Sequence, residues 1–205
     1  MATKLRVGLY VDGFNLYHGL HSKYGRKYLW LDLEALGAAL IRPDQELSFV
    51  RYFTARVEGP GVVRQRAYLA ALTEHCHRLK IVEGRFQKQR RTCRFCGATW
   101  QQREEKETDV SIAVSLVEDC VDHLLDVALI LSADQDLSPA IRAMKTRRPN
   151  LRVVAVFPPD RNSDALAKIV DAKLPLFEQV IKNSQLPAKI AAADGRILTR
   201  PDYWS

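Results

Sequence analysis

Val127-Ala128-Leu129-Ile130-Leu131-Ser132-Ala133-Asp134-Gln135-Asp136 is the stretch that decides the architecture. Its first five residues are apolar without a break, which is how a strand reads when helices cover both of its faces. The run then stops on a small polar residue and two aspartates two positions apart. Strands of a parallel, helix-flanked sheet end along one common edge, and ligands bind there. The two acids therefore belong to a candidate site and not to the core.

Outward from this run the chain alternates between the two periodicities. Residues 5–11 read as a first strand and 15–21 as a helix. Asp32 reads as the N-cap of a second helix, with Leu33, Leu36 and Leu40 on one face. Residues 47–55 are a second strand, and Gly59-Pro60-Gly61 breaks the chain. From 62 to 79 a helix carries Gln65, Tyr68, Leu69, Leu72, Cys76 and Leu79 on one side. Residues 80–86 are a third strand; 109–123 are a helix with Ile112, Ala113, Leu116 and Cys120 inward. Beyond the central run come a helix to about Thr146, a last strand at 152–157 and a last clear helix at 162–170.

This order predicts an α/β fold, a doubly wound, Rossmann-like three-layer sandwich with a mainly parallel sheet of about five strands. Residues 1–182 form one domain, with a polar, basic excursion at about 87–106. Residues 183–205 form a tail whose Pro187, Ile197, Leu198, Pro201, Tyr203 and Trp204 suit packing on the domain or on a partner, a homodimer included.

The 205 residues are 47% hydrophobic and 27% charged, a globular balance that suits one unstapled core. The first residues lack signal-peptide order, and no apolar run approaches the ~20 residues that span a bilayer. A cytoplasmic location without a membrane partner is expected. Four cysteines are too few for a disulfide framework. A net charge of +7 favours a polyanion, RNA above all.

Asp12 follows the first strand directly, Gly13 permits a close approach, and Asn15 keeps its side chain near the same edge. Asp134 and Asp136 lie just past the fourth strand. Asp109 stands one turn before Ile112, Ala113 and Leu116 on their helix, where a carboxylate points along the edge. First and fourth strands are neighbours in a doubly wound sheet, so Asp12, Asp109 and Asp134 converge. Taken singly, each acid is as well explained as a turn residue or a cap. Taken together they repel unless a cation sits among them. Mg²⁺ and Mn²⁺ prefer such hard oxygen ligands.

Three stretches carry a resemblance: Tyr10-Val11-Asp12-Gly13-Phe14-Asn15-Leu16, Glu105-Lys106-Glu107-Thr108-Asp109-Val110 and Leu131-Ser132-Ala133-Asp134-Gln135-Asp136-Leu137. In order and spacing they resemble the NYN domain family, LabA-like proteins of the PIN-like nuclease superfamily, over roughly residues 5 to 175. The resemblance implies a Mg²⁺- or Mn²⁺-dependent ribonuclease. It implies Asp12, Asp109 and Asp134 as catalytic metal ligands, Asp136 as a further acid, Asn15 as the site amide and Ser132 in support. One alternative is a non-catalytic RNA-binding or scaffold module that keeps the fold. A lesser one is a small-molecule phosphohydrolase, against which Phe14 counts, because such enzymes carry a second aspartate there.

The excursion gathers Arg85, Lys88, Arg90, Arg91, Arg94 and Arg103 with Phe86, Phe95 and Trp100. Cations interleaved with rings suit single-stranded RNA, which offers phosphates and unstacked bases together. Arg161, after the last strand, is a further candidate for a substrate phosphate. Cys93-Arg94-Phe95-Cys96-Gly97 is half a zinc site. A closed structural site needs four ligands, and Cys76 and Cys120 fall on apolar helical stripes, so a reduced thiol pair or degenerate knuckle is preferred to Zn²⁺ at Cys93 and Cys96. The scattered His18, His21 and His123 read as structural.

Overall fold

The structure is a computed structural model that describes residues 3–57, 59 and 61–204, without the side chains of 85–90, 100–106 and 203. Strand β1 (Leu5–Asp12) leads into α1 (Gly13–Tyr24), followed by α2 (Leu33–Leu40), β2 (Gln45–Ala55) and α3 (Val62–His75). A long strand, β3 (Leu79–Thr92), turns back as β4 (Thr99–Lys106) and delivers the chain to α4 (Thr108–Val121). Then come β5 (Val127–Leu131), a 3₁₀ turn (Gln135–Leu137), α5 (Ser138–Arg147), β6 (Arg152–Phe157) and α6 (Asp164–Ala167). The chain closes with β7 (Ala172–Pro175), α7 (Glu178–Asn183), a small hairpin of β8 (Lys189–Ala191) and β9 (Ile197–Thr199), and a 3₁₀ turn at Asp202–Trp204.

One sheet orders these strands β4-β3-β2-β1-β5-β6-β7. Every neighbouring pair is parallel except β3 and β4. The chain grows outward from β1 to β3, then returns across the sheet to lay β5 beside β1. The direction of winding thus reverses between β1 and β5, the place where open α/β sheets bind ligands. The fully buried run of β5 alternates as a strand covered on both faces must. Val127, Leu129 and Leu131 join the core under α1, α2 and α3, whereas Ala128 and Ile130 join the core under α4 and α5.

The sheet has seven strands where about five were expected. The excursion is itself paired, with Arg85 opposite Lys106 through to Thr92 opposite Thr99, so β3 and β4 form a ribbon continuous with the sheet. Its polar sequence carries no core-facing alternation, and that hid the strand. β7 is a four-residue edge strand, too short for a pattern. The helix expected to reach residue 79 ends at His75. Cys76 is extended, its N–H returns to the Leu72 carbonyl, and Leu79 opens β3. The helix expected over 162–170 is the single turn α6, with the Ser163 hydroxyl accepting from the Leu166 N–H.

The tail packs on its own chain. Trp204 is buried against Trp30 and Tyr68, with ring centroids 6.0 and 6.1 Å apart. The Trp30 indole donates to the Pro187 carbonyl at 2.9 Å, and the Ala193 N–H donates to Glu74 at 3.0 Å.

One buried network fixes α4 on the sheet. Asp119 of α4 accepts from the Tyr10 hydroxyl of β1 at 2.8 Å and from Arg51 Nε of β2 at 2.6 Å, and a second Arg51 nitrogen completes a forked pair. A bidentate arginine sets orientation as well as distance. The network therefore holds the azimuth of α4, and with it the direction in which the first turn of that helix faces.

Candidate active site

Asp12 is the last residue of β1 and the N-cap of α1, and it is only 5% exposed. Its Oδ1 accepts from the Asn15 N–H at 3.0 Å, and its Oδ2 accepts from the Ser132 hydroxyl at 2.8 Å. Ser132 Oγ in turn accepts from the Asp134 N–H at 3.0 Å, and Asn15 Oδ1 accepts from the Ala133 N–H at 3.2 Å. These bonds stitch the C-terminal ends of β1 and β5 together. Asp134 caps the turn that follows, with Oδ1 accepting from the Asp136 N–H at 2.9 Å. Each engaged carboxylate oxygen keeps a further lone pair.

Gly13 makes this corner feasible. A Cβ there would lie 2.5 Å from the Phe53 carbonyl and 2.8 Å from the Tyr52 ring. Only glycine lets α1 leave the sheet this close to β2.

Asp109 comes from the other side, in the first turn of α4. Expected on the apolar stripe, it is solvent-exposed at the helix mouth, while Ile112 and Leu116 below it are buried. The residue before the helix, Glu107, is held at φ 80, a left-handed backbone that a side chain of its kind adopts at a cost of ~1–3 kcal/mol. Thr108 Oγ1 is buried and finds no hydrogen-bond partner among the described residues.

The acids act on one another. Burial pushes the Asp12 carboxyl above its ordinary range; Asp134 adds to this, and the Asn15 N–H and Ser132 hydroxyl oppose it. Burial also raises Asp109, followed by the fields of Asp134, Asp12 and Asp136. Asp12, Asp134 and Asp136 thus add their negative fields at Asp109, and Asp134 adds its own at Asp12. The donors are hard oxygens throughout, the chemistry that suits Mg²⁺ or Mn²⁺. Among the described residues no three His, Cys, Asp or Glu side chains form a ready-made ligand group. Mg²⁺ does not require one, since it retains several waters and takes one or two carboxylates plus substrate phosphate.

Of the basic candidates, the side chains of Arg85, Lys88, Arg90 and Arg103 lie outside the described residues, as do those of Phe86 and Trp100. Arg91 and Arg94 are exposed on the ribbon. Arg161 stands over α1: a Cβ at Gly19 would lie 3.4 Å from its side chain and 2.7 Å from the Pro159 carbonyl. Burial, then the charge of Arg161, then His21 lower the proton affinity of His18. Cys93 and Cys96 sit at the ribbon tip, and the Cys96 and Phe95 N–H groups hold the Cys93 thiol below its usual range. No third ligand joins them among the described residues. Cys76 and Cys120 are buried, donating to Asp32 at 3.4 Å and to the Met144 carbonyl at 3.7 Å.

A cleft of about 300 Å³ adjoins the acids and was not anticipated. Phe14 and Tyr17 of α1, Tyr52 of β2, Arg64 and Tyr68 of α3, and Trp204 line it. Burial, with Asp12 adding, pushes the Tyr52 phenol up to about 12, so cleft and acids share a wall. The only sequence signal lay in β2, whose C-terminal end must reach the same edge as Asp12.

A parallel sheet covered by helices on both faces, with acids at the switch point, defines a doubly wound α/β domain. The chain belongs to the NYN domain family, whose model matches residues 6–176. This is a nuclease-type family, which supports a hydrolase in general, and its nucleases are generally dependent on divalent metal. The chain is also similar to the 6-hydroxy-3-succinoylpyridine 3-monooxygenase HspA of Pseudomonas putida, at 29% identity over 191 residues. That match covers 75% of this chain and 60% of the relative, so the chain spans less than two thirds of the relative's length. Among solved structures, a protein of unknown function from Vibrio parahaemolyticus matches with a TM-score of 0.59 at 19% identity, over 87% of this chain and 96% of that one. At that identity the likeness is one of fold. No helix among the described residues is long and apolar enough to cross a membrane.

Proposed function

We propose that the protein is a Mg²⁺- or Mn²⁺-dependent ribonuclease that hydrolyses RNA phosphodiester bonds at the β1/β5 edge. The observation that carries this reading is the mutual field of four carboxylates at the switch point, in an NYN chain of net charge +7. Asp12, Asp109 and Asp134 would hold the ion, with Asp136 as a further oxygen donor. Such an ion supplies positive charge for the phosphate, acidifies water and offsets the charge that builds in the transition state. Ser132 and Asn15 are positioning residues: one bonds Asp12 and the Asp134 backbone together, the other ties α1 to the loop after β5. Water would attack phosphorus in line, forming one P–O bond as the P–O bond to the ribose oxygen breaks; the attacking water gives up a proton to solvent and the departing oxygen takes one from it. The basic residues of the ribbon, Arg91 and Arg94 with Arg85, Lys88, Arg90 and Arg103, would track a single strand in the cytoplasm, and Arg161 would meet a phosphate beside α1.

A second reading is favoured by the aromatic cleft together with the relative that is named a monooxygenase of a succinoylpyridine. On that reading the cleft would take a small pyridine acid and the edge would serve oxygenation, one oxygen atom entering the ring and the other leaving as water with two electrons from an external reductant. Side-by-side assays, the pyridine one supplied with a reduced nicotinamide, separate the two. Metal-dependent cutting of labelled single-stranded RNA without dioxygen uptake on 6-hydroxy-3-succinoylpyridine is the expected result. Dioxygen uptake on that pyridine with no RNA cut would reverse the order of the two readings.

A further inference from the structure

We propose that the cleft beside Asp12 is a base pocket: it seats one unstacked base of the RNA strand, in the nucleotide adjoining the scissile phosphate. The inference rests on the ribonuclease reading and names the part of the substrate that reading leaves open.

The cleft begins where the acids end. Gly13 and Phe14 belong to its lining, so one peptide bond separates Asp12 from the pocket wall. Its walls are rings held by one another. Tyr68 meets Tyr52 edge-on at 6.3 Å and Trp204 edge-on at 6.1 Å, and all three are largely buried. Tyr17, still 43% exposed, stands at the rim. A ring entering the cleft thus meets aromatic faces and edges already fixed in place, and stacking on such surfaces accepts any base because every base has a π-face.

Charge sets the kind of ring. Arg26 and Arg64 belong to the same lining, which holds no Asp or Glu among the described residues. The fitting ligand is a planar ring with an anionic group on a short arm, which describes a nucleotide. At about 300 Å³ the cleft lies at the small end of ligand pockets, ~300–1,000 Å³, so it suits one nucleotide and not a stacked pair. A base can enter only when it has left its helix, so cutting should be confined to unpaired positions.

The test reads binding and cutting separately. Adenosine 5′-monophosphate, ribose 5-phosphate and benzoate are titrated against the full chain by equilibrium dialysis without metal. The mononucleotide should bind at least about tenfold more tightly than ribose 5-phosphate, a ratio in the range of base–aromatic stacking. Tyr17→Ala and Arg64→Gln should each weaken it about tenfold while both keep the wild-type far-UV spectrum, and Trp204→Phe should weaken it less. Equal binding of ribose 5-phosphate, indifference to Tyr17→Ala and Arg64→Gln, or binding of benzoate without the nucleotide would each overturn the assignment. In parallel, an RNA with one abasic position is offered with Mn²⁺, and the cut next to that position should be lost. Cutting that ignores the missing base overturns the pocket alone. Nucleotide binding without cutting of any RNA overturns the ribonuclease reading alone.

Discussion

Ser132 is where the chemistry of the site is held at the scale of a single side chain. Its hydroxyl donates to Asp12 and accepts from the Asp134 backbone, so one oxygen sets the distance between two acids. Ser132→Ala should lower metal-dependent cleavage by about 10- to 100-fold, the usual cost of losing an orienting partner, with the far-UV spectrum unchanged. Asp109 gives a prediction of opposite sign for stability. Its folded-state proton affinity is raised, so its ionised form opposes folding, and the stability it contributes in acid is lost as pH rises through its folded pKa. Asp109→Asn should therefore raise the Tm of metal-free protein by about 1–2 °C at pH 8. That gain should vanish near pH 3.5, below the ordinary aspartate value of ~3.9. A gain of equal size at both values would contradict the shared field. The placement of Asp12 and Asp134 at the sheet edge was legible in the sequence, because residues at or just past the end of a buried strand have only that edge to occupy. The cleft was not: Tyr17, Tyr52, Tyr68 and Trp204 come from three elements and the tail, and each alone reads as an ordinary core or surface ring.

At the scale of elements, α4 has to present Asp109 to a sheet edge built by other strands. The Asp119 network does this from inside the core, where it joins α4 to β1 and β2. Asp119→Ala would leave the Arg51 charge and the Tyr10 hydroxyl without their partner, and should destabilise the protein by about 3–5 kcal/mol in urea unfolding. Loss of a buried partner and misdirection of α4 go together, so cleavage should fall further than the unfolded fraction explains. A variant as stable as wild type would show that the network does not hold the helix. Elements with strong periodicity were legible: β1, β5 and β6 as apolar runs, and α2 from the Asp32 cap. β4 and β7 were not, because the polar sequence of 99–106 carries no apolar alternation and a four-residue edge strand leaves no period. The overextended 62–79 helix has the same physical cause, since Leu79 continues a helical stripe by coincidence while serving as the first residue of β3.

The whole molecule closes around its switch point from both ends of the chain. β1 supplies Asp12, and the last described turn supplies Trp204 to the cleft beside it. Trp204→Ala should cost about 3–5 kcal/mol, the range for deleting a buried large aromatic, and should lower Tm measurably in calorimetry. An unchanged Tm would mean that the tail only rests on the domain. The location of the site was legible as a sheet edge; the part of the tail that completes its surroundings was not, because apolar residues scattered among Pro187, Gly195 and Pro201 do not say what they touch. The central claim is that the four carboxylates are a metal-dependent cutting site. It is tested most directly by incubating labelled single-stranded RNA with the purified protein and Mn²⁺, beside EDTA and beside folded Asp12→Asn. The account predicts cleavage that EDTA abolishes and that Asp12→Asn reduces by at least about a thousandfold, as removal of a central catalytic group does. Cleavage by Asp12→Asn at the wild-type rate, or none by well-folded wild type across varied RNA strands, would contradict it.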